Sequence, residues 1–413
     1  MSYIFWFFYN LGIIAGNVFI FFAQFFNTKM KLLYQGRLDT LIKTKQTPKY
    51  QKSIWIHCAS LGEFEQGRPV IEALKKSYPN YPIVLSFFSP SGYEIRKDYP
   101  MVDQVIYLPS DSANHAKKLI KYYNPQLFIL VKYEFWWHLL DQLQQHNVTT
   151  IVISAKFRDS NYFLKPFSIS LKNILKKINI IFVQDQNSMS ILKDNGFTNA
   201  KLAGDTRIDR VISHAHSVIV SDKIKHFVIG QEVIVYGSVW MEDMSVVRST
   251  INAFPNFIHI IAPHDVNRHN ILKLTNQLNQ KFSLFSEGKW HNHILIIDNV
   301  GMLSSLYSIA EYAYIGGGFG AGIHNTLEPT VFGIPTIFGP KYQKFREAEE
   351  MILSGAAFSI NSPDECVQVI RVLDHNYDEY TQVKVKLKAY FRQNSGATDK
   401  IMGQLAQFLD NNN

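Results

Sequence analysis

The sequence predicts an α/β protein with two doubly wound, Rossmann-like domains and an apolar helix at its N-terminus. A chain of 413 residues is too long for a single hydrophobic core of ordinary size, which favours two domains. Short apolar runs alternate with amphipathic stretches of helical length, in two series. We expect an N-terminal anchor at residues 1–27, a first domain at 28–215 and a second domain at 216–413. The last helix is expected to cross back onto the first domain.

The strands are predicted from apolar runs short enough to be buried. The first series comprises Ile54–Ile56, Ile83–Phe87, Gln104–Tyr107, Leu127–Val131, Thr150–Ile153 and Ile180–Val183. The second comprises Val233–Tyr236, His259–Ala262, Ile294–Ile297, Tyr312–Ile315 and Thr336–Phe338. Between them, residues 211–230 are polar and are predicted to be an irregular linker. The final helix is expected at about Gly396 to Leu409.

The N-terminal segment, Tyr3–Gln24, has no charged side chain and the length that crosses a bilayer, which is about 20 residues. Asn10 and Asn17 weaken the span, so a tilted or half-inserted helix stays open, as does a buried core helix. The flank that follows is basic, which by the positive-inside rule makes it cytoplasmic. Its cations are Lys29, Lys31, Arg37, Lys43, Lys45, Lys49 and Lys52.

The composition narrows the classes of partner. A formal net charge of +8 favours nucleic acid, anionic lipid or phosphorylated substrates. Because the basic residues cluster after the apolar segment, we expect no nucleic acid. Cys58 and Cys366 are far apart and form neither a metal motif nor a disulfide framework, which fits a reducing compartment.

Ser60 and Glu63 lie where the first strand runs through a turn at Gly62 into a helix. The spacing Ser-x-x-Glu is typical of a capping box. A carboxylate at a helix N-terminus also stays ionised and can accept a proton. Both interpretations of Glu63 remain open at this point.

Further polar side chains follow later strands. Glu134 follows the fourth strand, and a second carboxylate facing the same cleft would suit acid–base chemistry. Arg207 carries a fork of donors for phosphate or carboxylate, unless it forms a salt bridge with Asp205 or Asp209. A basic-aromatic patch after the fifth strand is suited to binding a phosphorylated glycolipid at the membrane face. The alternative is an amphipathic helix that packs on the sheet. Its residues are Lys156, Phe157, Arg158, Tyr162, Phe163, Leu164, Lys165 and Phe167.

A glycine-rich loop, Gly316–Gly322, follows the fourth strand of the second series. Glycines let backbone amides approach a phosphate, and Asn325 is predicted to begin a helix whose N-terminus favours the charge. Glu328 is a candidate to cap that helix or to bond a ribose hydroxyl. The loop is not a Walker loop, because no Gly-Lys-Ser/Thr follows.

These motifs resemble those of the bacterial 3-deoxy-D-manno-octulosonic acid (Kdo) transferases. The segment at Ser60–Glu63 is similar to the family's Ser-Val-Gly-Glu. Glu134 stands at the position of the second glutamate in the family's Glu-Thr-Glu-Leu-Trp pattern, and Lys132 replaces the first glutamate of that pattern. Arg207 fits Gly-x-x-Lys/Arg-x-Asp, and the loop ends in the family's His-Asn-x-x-Glu. The resemblance implies that Glu63 is the catalytic base and that Glu134 assists the transition state.

The resemblance also implies a set of donor contacts. The expected nucleotide-binding residues are Pro263, His264, Gly301, Met302, Leu303, Asn325, Thr326, Leu327 and Glu328. The family's Pro-Arg-His lacks its arginine here, and either His264 or Arg268 is the candidate replacement. Gly237–Asp243 also departs from the family's Ser/Thr-His-x-Gly-Glu and is given only a weak donor-site role.

Two such domains facing a cleft suggest the GT-B architecture of nucleotide-sugar glycosyltransferases. The resemblance implies inverting, metal-independent transfer of Kdo from CMP-Kdo to a lipid A precursor (lipid IVA), at the cytoplasmic face of the inner membrane, with no cofactor. Three alternatives stay open: another donor such as a UDP-sugar, a nucleotide-sugar epimerase, and a non-catalytic glycolipid-binding relative. A dehydrogenase is disfavoured, since no Gly-x-Gly-x-x-Gly follows the first strand.

Overall fold

The computed structural model describes residues 3–158 and 169–410, which form two compact units. The first unit runs to Arg210 and takes in the chain again from Ser395. The second unit is Val211–Asn394. The division therefore falls five residues before the predicted boundary at residue 215, and the C-terminal helix is part of the first unit.

The first unit is built on a parallel sheet of seven strands in the order β3-β2-β1-β4-β5-β6-β7. Its strands are β1 (Ser53–Cys58), β2 (Ile83–Phe87), β3 (Gln104–Tyr107), β4 (Pro125–Val131), β5 (Thr149–Ala155), β6 (Ile180–Val183) and β7 (Ala200–Leu202). The six predicted strands are confirmed. The sequence did not predict β7, because it has three residues and two of them are exposed, so no apolar run marks it.

Helices cover both faces of this sheet, as expected for parallel strands. They are α1 (Tyr3–Ala23), α2 (Thr28–Lys43), α3 (Leu61–Ser77), α4 (Pro90–Arg96), α5 (Ala113–Tyr123), α6 (Trp137–Gln145), α7 (Ile169–Leu175), α8 (Gln186–Asp194), the start of α9 (Thr206–Ser217) and α18 (Ala397–Leu409). The last of these, α18, buries Ile401, Leu405 and Leu409 in the core beside α3. Asp209 accepts hydrogen bonds from the amides of Gly396 (2.7 Å) and Thr398 (2.6 Å) and so holds the start of α18.

The N-terminal helix α1 is long and apolar enough to cross a membrane, and none of its span at residues 5–23 is buried. A buried core helix is therefore not what forms. Its first turns nevertheless dock on the unit through polar side chains. The Tyr9 hydroxyl donates to Asp111 Oδ2 (2.5 Å), and Asn10 Oδ1 lies 2.9 Å from His138 Nε2. Asn10, which the sequence suggested as a weak point of the span, is thus a contact to α6.

Deleting residues 1–27 tests this docking. We expect the truncated protein to leave the membrane fraction and to lose about 1–3 kcal/mol of unfolding free energy, because buried Asp111 loses its Tyr9 donor. The measurements are membrane fractionation and urea unfolding. Tyr9→Phe in the full chain is the control, since it removes the hydrogen bond and keeps the apolar span. Full-length protein in the soluble fraction would contradict the expectation.

The second unit repeats the architecture with the order β10-β11-β9-β8-β12-β13-β14, again all parallel. Its strands are β8 (Val233–Val239), β9 (Ile258–Pro263), β10 (Ser283–Leu284), β11 (Ile294–Ile296), β12 (Tyr312–Ile315), β13 (Thr336–Phe338) and β14 (Ala357–Ser359). The five predicted strands are confirmed. The sequence did not predict β10, which has two residues, or β14, of which only Ala357 is fully buried. The helices are α10 (Asp222–Val228), α11 (Met244–Ala253), α12 (Arg268–Thr275), α13 (Leu303–Tyr307), α14 (Leu327–Thr330), α15 (Arg346–Leu353), α16 (Pro363–His375) and α17 (Tyr377–Asn394).

The prediction of an irregular linker at residues 211–230 is wrong. Helix α9 continues to Ser217, and α10 fills most of the remainder. Ile208 and Val211 are both buried and lie three residues apart, which places them on one helical face. Ser221 caps α10 by accepting from the Ile224 amide. The sequence analysis missed the Ile208–Val211 spacing and the Ser221 cap because the segment is polar overall.

Candidate functional site

The first sheet reverses its winding between β1 and β4, which are neighbours in space although two strands separate them in sequence. The loops after these two strands diverge, and such a switch point is where open α/β sheets bind ligands. Glu63 follows β1 and Glu134 follows β4. The fold therefore brings both predicted carboxylates to the same edge of one sheet.

Glu63 lies in the first turn of α3, with Ser60 as the N-cap residue. Its Oε2 accepts a 2.6 Å hydrogen bond from the amide of Ala59, and its own amide is 3.5 Å from Ser60 Oγ. The capping box that the spacing predicts is thus shifted by one residue, because the carboxylate reaches Ala59 instead of Ser60. Burial raises the pKa of Glu63, while the Ala59 bond and the charge of Lys132 lower it in part.

Glu134, like Glu63, is half-buried. Burial, and then the charge of Glu63, raises the pKa of Glu134 to about 7. The charge of Glu63 therefore disfavours ionisation of Glu134, as expected for an acid beside a second carboxylate. Around neutral pH Glu134 is therefore partly protonated, which suits an acid that lies beside a second carboxylate.

Lys132 is the residue of this site that the sequence undervalued. Its φ is +67°, an unusual value for a side chain with a Cβ, and its amide donates to Ile153 O at the end of β5 (3.0 Å). Burial lowers the pKa of Lys132, the charge of Glu63 opposes that shift and the charge of Arg207 adds to it. Lys132 thus interacts electrostatically with both Glu63 and Arg207. Its position directly after a buried strand is the feature of the sequence that could have indicated a role for Lys132 in the site.

Arg207 is held by Asp205. Its Nε and Nη2 lie 2.9 and 2.6 Å from Asp205 Oδ2, and its amide donates to Oδ1 of the same carboxylate (3.0 Å). The preceding residue, Thr206, is buried and donates from Oγ1 to the carbonyl of Gln66 in α3 (2.5 Å). The start of α9 is therefore fixed against α3, which carries Glu63, and the Arg207 guanidinium is oriented in advance.

The raised pKa of Glu134 predicts a pH dependence of stability. A carboxyl with a folded pKa of about 7, above the unfolded value of about 4.3, is more protonated in the folded state, so stability falls as pH rises through this window. We expect Glu134→Gln to lose less stability than the wild type between pH 5 and pH 8, measured by urea unfolding at each pH. Glu379→Gln, an exposed change in α17, is the control. Parallel curves for wild type and Glu134→Gln would contradict the shift.

The second sheet has its switch point between β8 and β12. Asp243 joins the loops after these strands. It accepts from the amides of Trp240 and Gly317 (2.9 Å each) and from the hydroxyl of Tyr314 (2.8 Å), and it is fully buried. A Cβ on Gly316 would lie 2.3 Å from Ser238 O, so this glycine is required by close approach of the two loops. The glycine-rich loop is therefore a rigid element.

An aromatic stack lies beside this loop where the Pro-Arg-His arginine is missing. The rings of Trp240 and His264 are stacked at 4.2 Å, and those of His264 and His324 at 4.6 Å. Trp240 Nε1 also donates to His324 Nε2 (2.8 Å). Burial and the neighbouring His264 lower the pKa of His324. The sequence predicted His264 as a donor contact, gave Trp240 a weak donor-site role within Gly237–Asp243, and placed His324 in the His-Asn-x-x-Glu motif. Their stacking could not be predicted, because residues 24 and more apart in sequence give no pairing signal.

The predicted start of a helix at Asn325 is wrong, since α14 begins at Leu327 and has four residues. Such a short helix carries little dipole, so its N-terminus contributes little to phosphate binding. Asn325 Nδ2 donates to Glu328 Oε1 (2.9 Å). Thr326 and Leu327 are fully buried, and their side chains are part of the core.

The remaining predicted donor residues lie at two strand ends of the second sheet. Pro263 ends β9 and is buried, while His264 is exposed. Gly301 has φ +94° and turns the chain two residues before α13, which starts at Leu303. Met302 precedes that start as its N-cap residue. All of them belong to the unit that carries the glycine-rich loop.

The basic-aromatic patch is only partly described. Phe157 is buried with its ring 6.0 Å from that of Tyr133, so it belongs to the core and not to a surface patch. Five members of the patch lie outside the described residues: Tyr162, Phe163, Leu164, Lys165 and Phe167. Within residues 3–158 and 169–410, no three His, Cys, Asp or Glu side chains are grouped to hold a metal ion.

The two parallel α/β units, each with polar loops at its switch point, define the GT-B class of folds. Residues 34–210 match the family model described as "3-Deoxy-D-manno-octulosonic-acid transferase (kdotransferase)". Residues 34–210 therefore form a Kdo transferase domain, and curated Kdo transferases are similar to this chain over most of its length. The resemblance carried by Ser60–Glu63, Glu134 and Arg207 is thereby confirmed at the level of the family.

Similar proteins extend the match along the chain. A bifunctional glycosyltransferase/methyltransferase of Fusobacterium nucleatum is 27% identical over 393 residues, which are 90% of this chain and 59% of that protein. A 3-deoxy-D-manno-octulosonic acid transferase of Aquifex aeolicus is 27% identical, over 76% of this chain and 84% of the relative. The UDP-GlcNAc 2-epimerase of Neisseria meningitidis, solved with UDP-GlcNAc, covers 86% of this chain and is itself covered completely, with a TM-score of 0.62 and 13% identity. That likeness is one of fold alone.

Proposed function

We propose that the protein transfers Kdo from CMP-Kdo to a phosphorylated lipid A precursor, with inversion at the anomeric carbon. The observation that carries the proposal is the charged cluster at the switch point of the first sheet. There Glu63 and Glu134 lie within electrostatic reach of each other, and Lys132 lies within reach of both Glu63 and Arg207. This is an arrangement for moving one proton and stabilising one negative charge.

Glu63 is the proposed base. The acceptor is a sugar hydroxyl, and it must lose its proton as it attacks the anomeric carbon. The carboxylate of Glu63 is oriented by the Ala59 amide, so one of its oxygens is committed to the backbone and the other is left for the hydroxyl. Its raised pKa makes it a better base than an exposed glutamate. A single displacement with one base inverts the anomeric carbon.

Charge stabilisation is assigned to the cations. The leaving CMP and the Kdo carboxylate are anionic, and the Arg207 guanidinium, braced by Asp205, is a preorganised partner for such a group. Lys132 supplies a second positive charge beside Glu63. No step in this scheme requires a metal ion or another cofactor.

The donor is proposed to bind the second unit. The loop at Gly316–Gly322 would lie against the phosphate through its other amides, since those of Gly316, Gly317, Gly320 and Gly322 already donate within the protein. The Trp240–His264–His324 stack offers aromatic faces to the cytosine ring. The exposed side chain of Glu328, oriented by Asn325, is suited to the ribose hydroxyls. The stack would replace the arginine that this sequence lacks.

The acceptor is proposed to reach the first unit from the cytoplasmic face of the inner membrane. Helix α1 would enter the bilayer, and its docking on α6 through Tyr9 and Asn10 keeps the switch point close to the surface. The basic residues that follow α1 would bind anionic headgroups. No nucleic-acid partner is required to explain the net charge.

The test is turnover by purified full-length protein with CMP-Kdo and tetraacyl lipid A precursor, detected by mass spectrometry of the lipid. We expect a mass increase by Kdo, and calorimetry should show CMP binding in preference to UDP. Turnover of a UDP-sugar, or conversion of UDP-GlcNAc to its epimer, would replace the proposal. Binding of the lipid without any turnover would favour a non-catalytic relative.

A further inference from the structure

Arg37, in the middle of α2, is a buried arginine without an acidic partner. It is 8% exposed, and its Nε and Nη2 have no hydrogen-bond partner among the described residues. Burial lowers the pKa of Arg37 to about 10, with no nearby carboxylate opposing the shift. A buried, unpaired guanidinium is costly, and proteins rarely keep one without a ligand or a counter-charge.

The arginine is positioned by an aromatic stack. Its Cζ lies 4.7 Å from the centroid of Phe88, and the rings of Phe88 and Trp136 are stacked at 5.1 Å with an angle of 20°. The cation–π contact offsets part of the burial cost but bonds none of the N–H groups. Trp136 Nε1 is also buried without a partner among the described residues. The Arg37 guanidinium and the Trp136 indole therefore both have N–H groups without a hydrogen-bond partner in the described part of the chain.

This stack lies at the same sheet edge as the proposed base. Phe88 follows β2, and Trp136 follows β4, where its amide donates to the carbonyl of Glu134 (2.9 Å). Arg37 comes from α2, the helix that directly follows the candidate membrane helix α1. The stack is thus connected through α2 to the candidate membrane helix, and through the loop after β4 to Glu134.

We propose that Arg37, supported by Phe88 and Trp136, is an anion subsite that binds a phosphate monoester of the acceptor glycolipid. This inference rests on the proposed function, because it assumes an acceptor that enters from the membrane. A phosphate accepts two parallel hydrogen bonds from a guanidinium, which supplies the partners that Nε and Nη2 lack. The Trp136 indole donates to a second polar atom of the same sugar. With the phosphate held there, the acceptor hydroxyl is presented to Glu63.

The test compares Arg37→Met with the wild type, both full length in detergent. Methionine keeps the apolar packing on Phe88 and removes the donors. Binding of tetraacyl lipid A precursor is measured without donor, using the phosphorylated lipid and the same lipid after phosphatase treatment. We expect the wild type to prefer the phosphorylated lipid by about 10-fold or more, and Arg37→Met to bind both equally. Trp136→Phe keeps the stack and should weaken binding by less.

Several readouts separate this role from a structural one. The melting temperature of Arg37→Met should match or exceed that of the wild type, since an unpaired buried cation is removed. Where transfer is measured, the KM for the acceptor should rise with kcat unchanged. Arg371→Met, an exposed change in α16, is the matched control and should alter neither. If Arg37→Met fails to fold, Arg37→Lys replaces it and should retain part of the preference.

Specific outcomes would overturn the subsite. One is a wild type that binds both lipids equally, and another is a preference that survives in Arg37→Met. A preference that is competed away by phosphatidylglycerol in the micelle would assign Arg37 to bulk lipid headgroups instead. Since binding is measured without CMP-Kdo, a protein that binds the phosphorylated lipid but transfers nothing would contradict the proposed function while supporting the subsite.

Discussion

Glu63→Gln is expected to lower kcat by about 10²-fold or more and to leave the fold intact. The glutamine Oε1 can still accept the hydrogen bond from the Ala59 amide, so the start of α3 keeps its cap. What the variant loses is the capacity to take a proton from the acceptor hydroxyl. The KM for CMP-Kdo should change little, because the donor is proposed to bind the second unit. The measurement is steady-state transfer with both substrates varied.

Two comparisons make this result specific. Glu72→Gln, on the same helix and paired with Arg68, should stay within twofold of the wild-type rate. Glu63→Ala would in addition lose the cap, which costs about 0.5–2 kcal/mol of stability. A lower rate in that variant could then come from partial unfolding as well as from the loss of the base. If Glu63→Gln turned over at the wild-type rate with the same pH profile, the residue would be a helix cap only. Glu134 would then become the leading candidate for the base.

The sheets could be predicted from the sequence because their strands are short apolar runs in a chain of otherwise amphipathic stretches. In β1 every side chain is buried, and the run Ile54–Ile56 leaves no helical alternative of ordinary length. The strands that sequence reasoning missed, such as β10 with two residues, lie where a few ladder bonds at an edge suffice. Their stability comes from a neighbour strand, which no local pattern encodes.

The residues of the candidate site could be predicted from the sequence, but the interactions between their side chains could not. Glu63, Glu134 and Arg207 were found from motifs at strand ends. That Lys132 links them, and that Asp205 orients the arginine, follows from the switch between β1 and β4 and from the anchoring of α9 by Thr206. Likewise, Arg37 looked like one cation of a basic flank. Only its burial on Phe88 separates it from the exposed lysines around it.

Arg207→Met is expected to lower kcat by about 10²-fold, since removing one preorganised donor to a developing anion costs that much in other enzymes. Asp205 would keep only the amide of residue 207 among the contacts that now hold it, so part of the loss reflects its freed charge near Lys132. Arg207→Lys keeps the charge but cannot reproduce the fork, and it should recover a minor part of the rate. Arg210→Met is the matched control, because Arg210 lies one turn along α9 and pairs with Glu65 (2.6 Å). The readout is single-turnover transfer at saturating donor. A wild-type rate for Arg207→Met would reduce this residue to a salt-bridge partner of Asp205 and move the charge-stabilising role to Lys132.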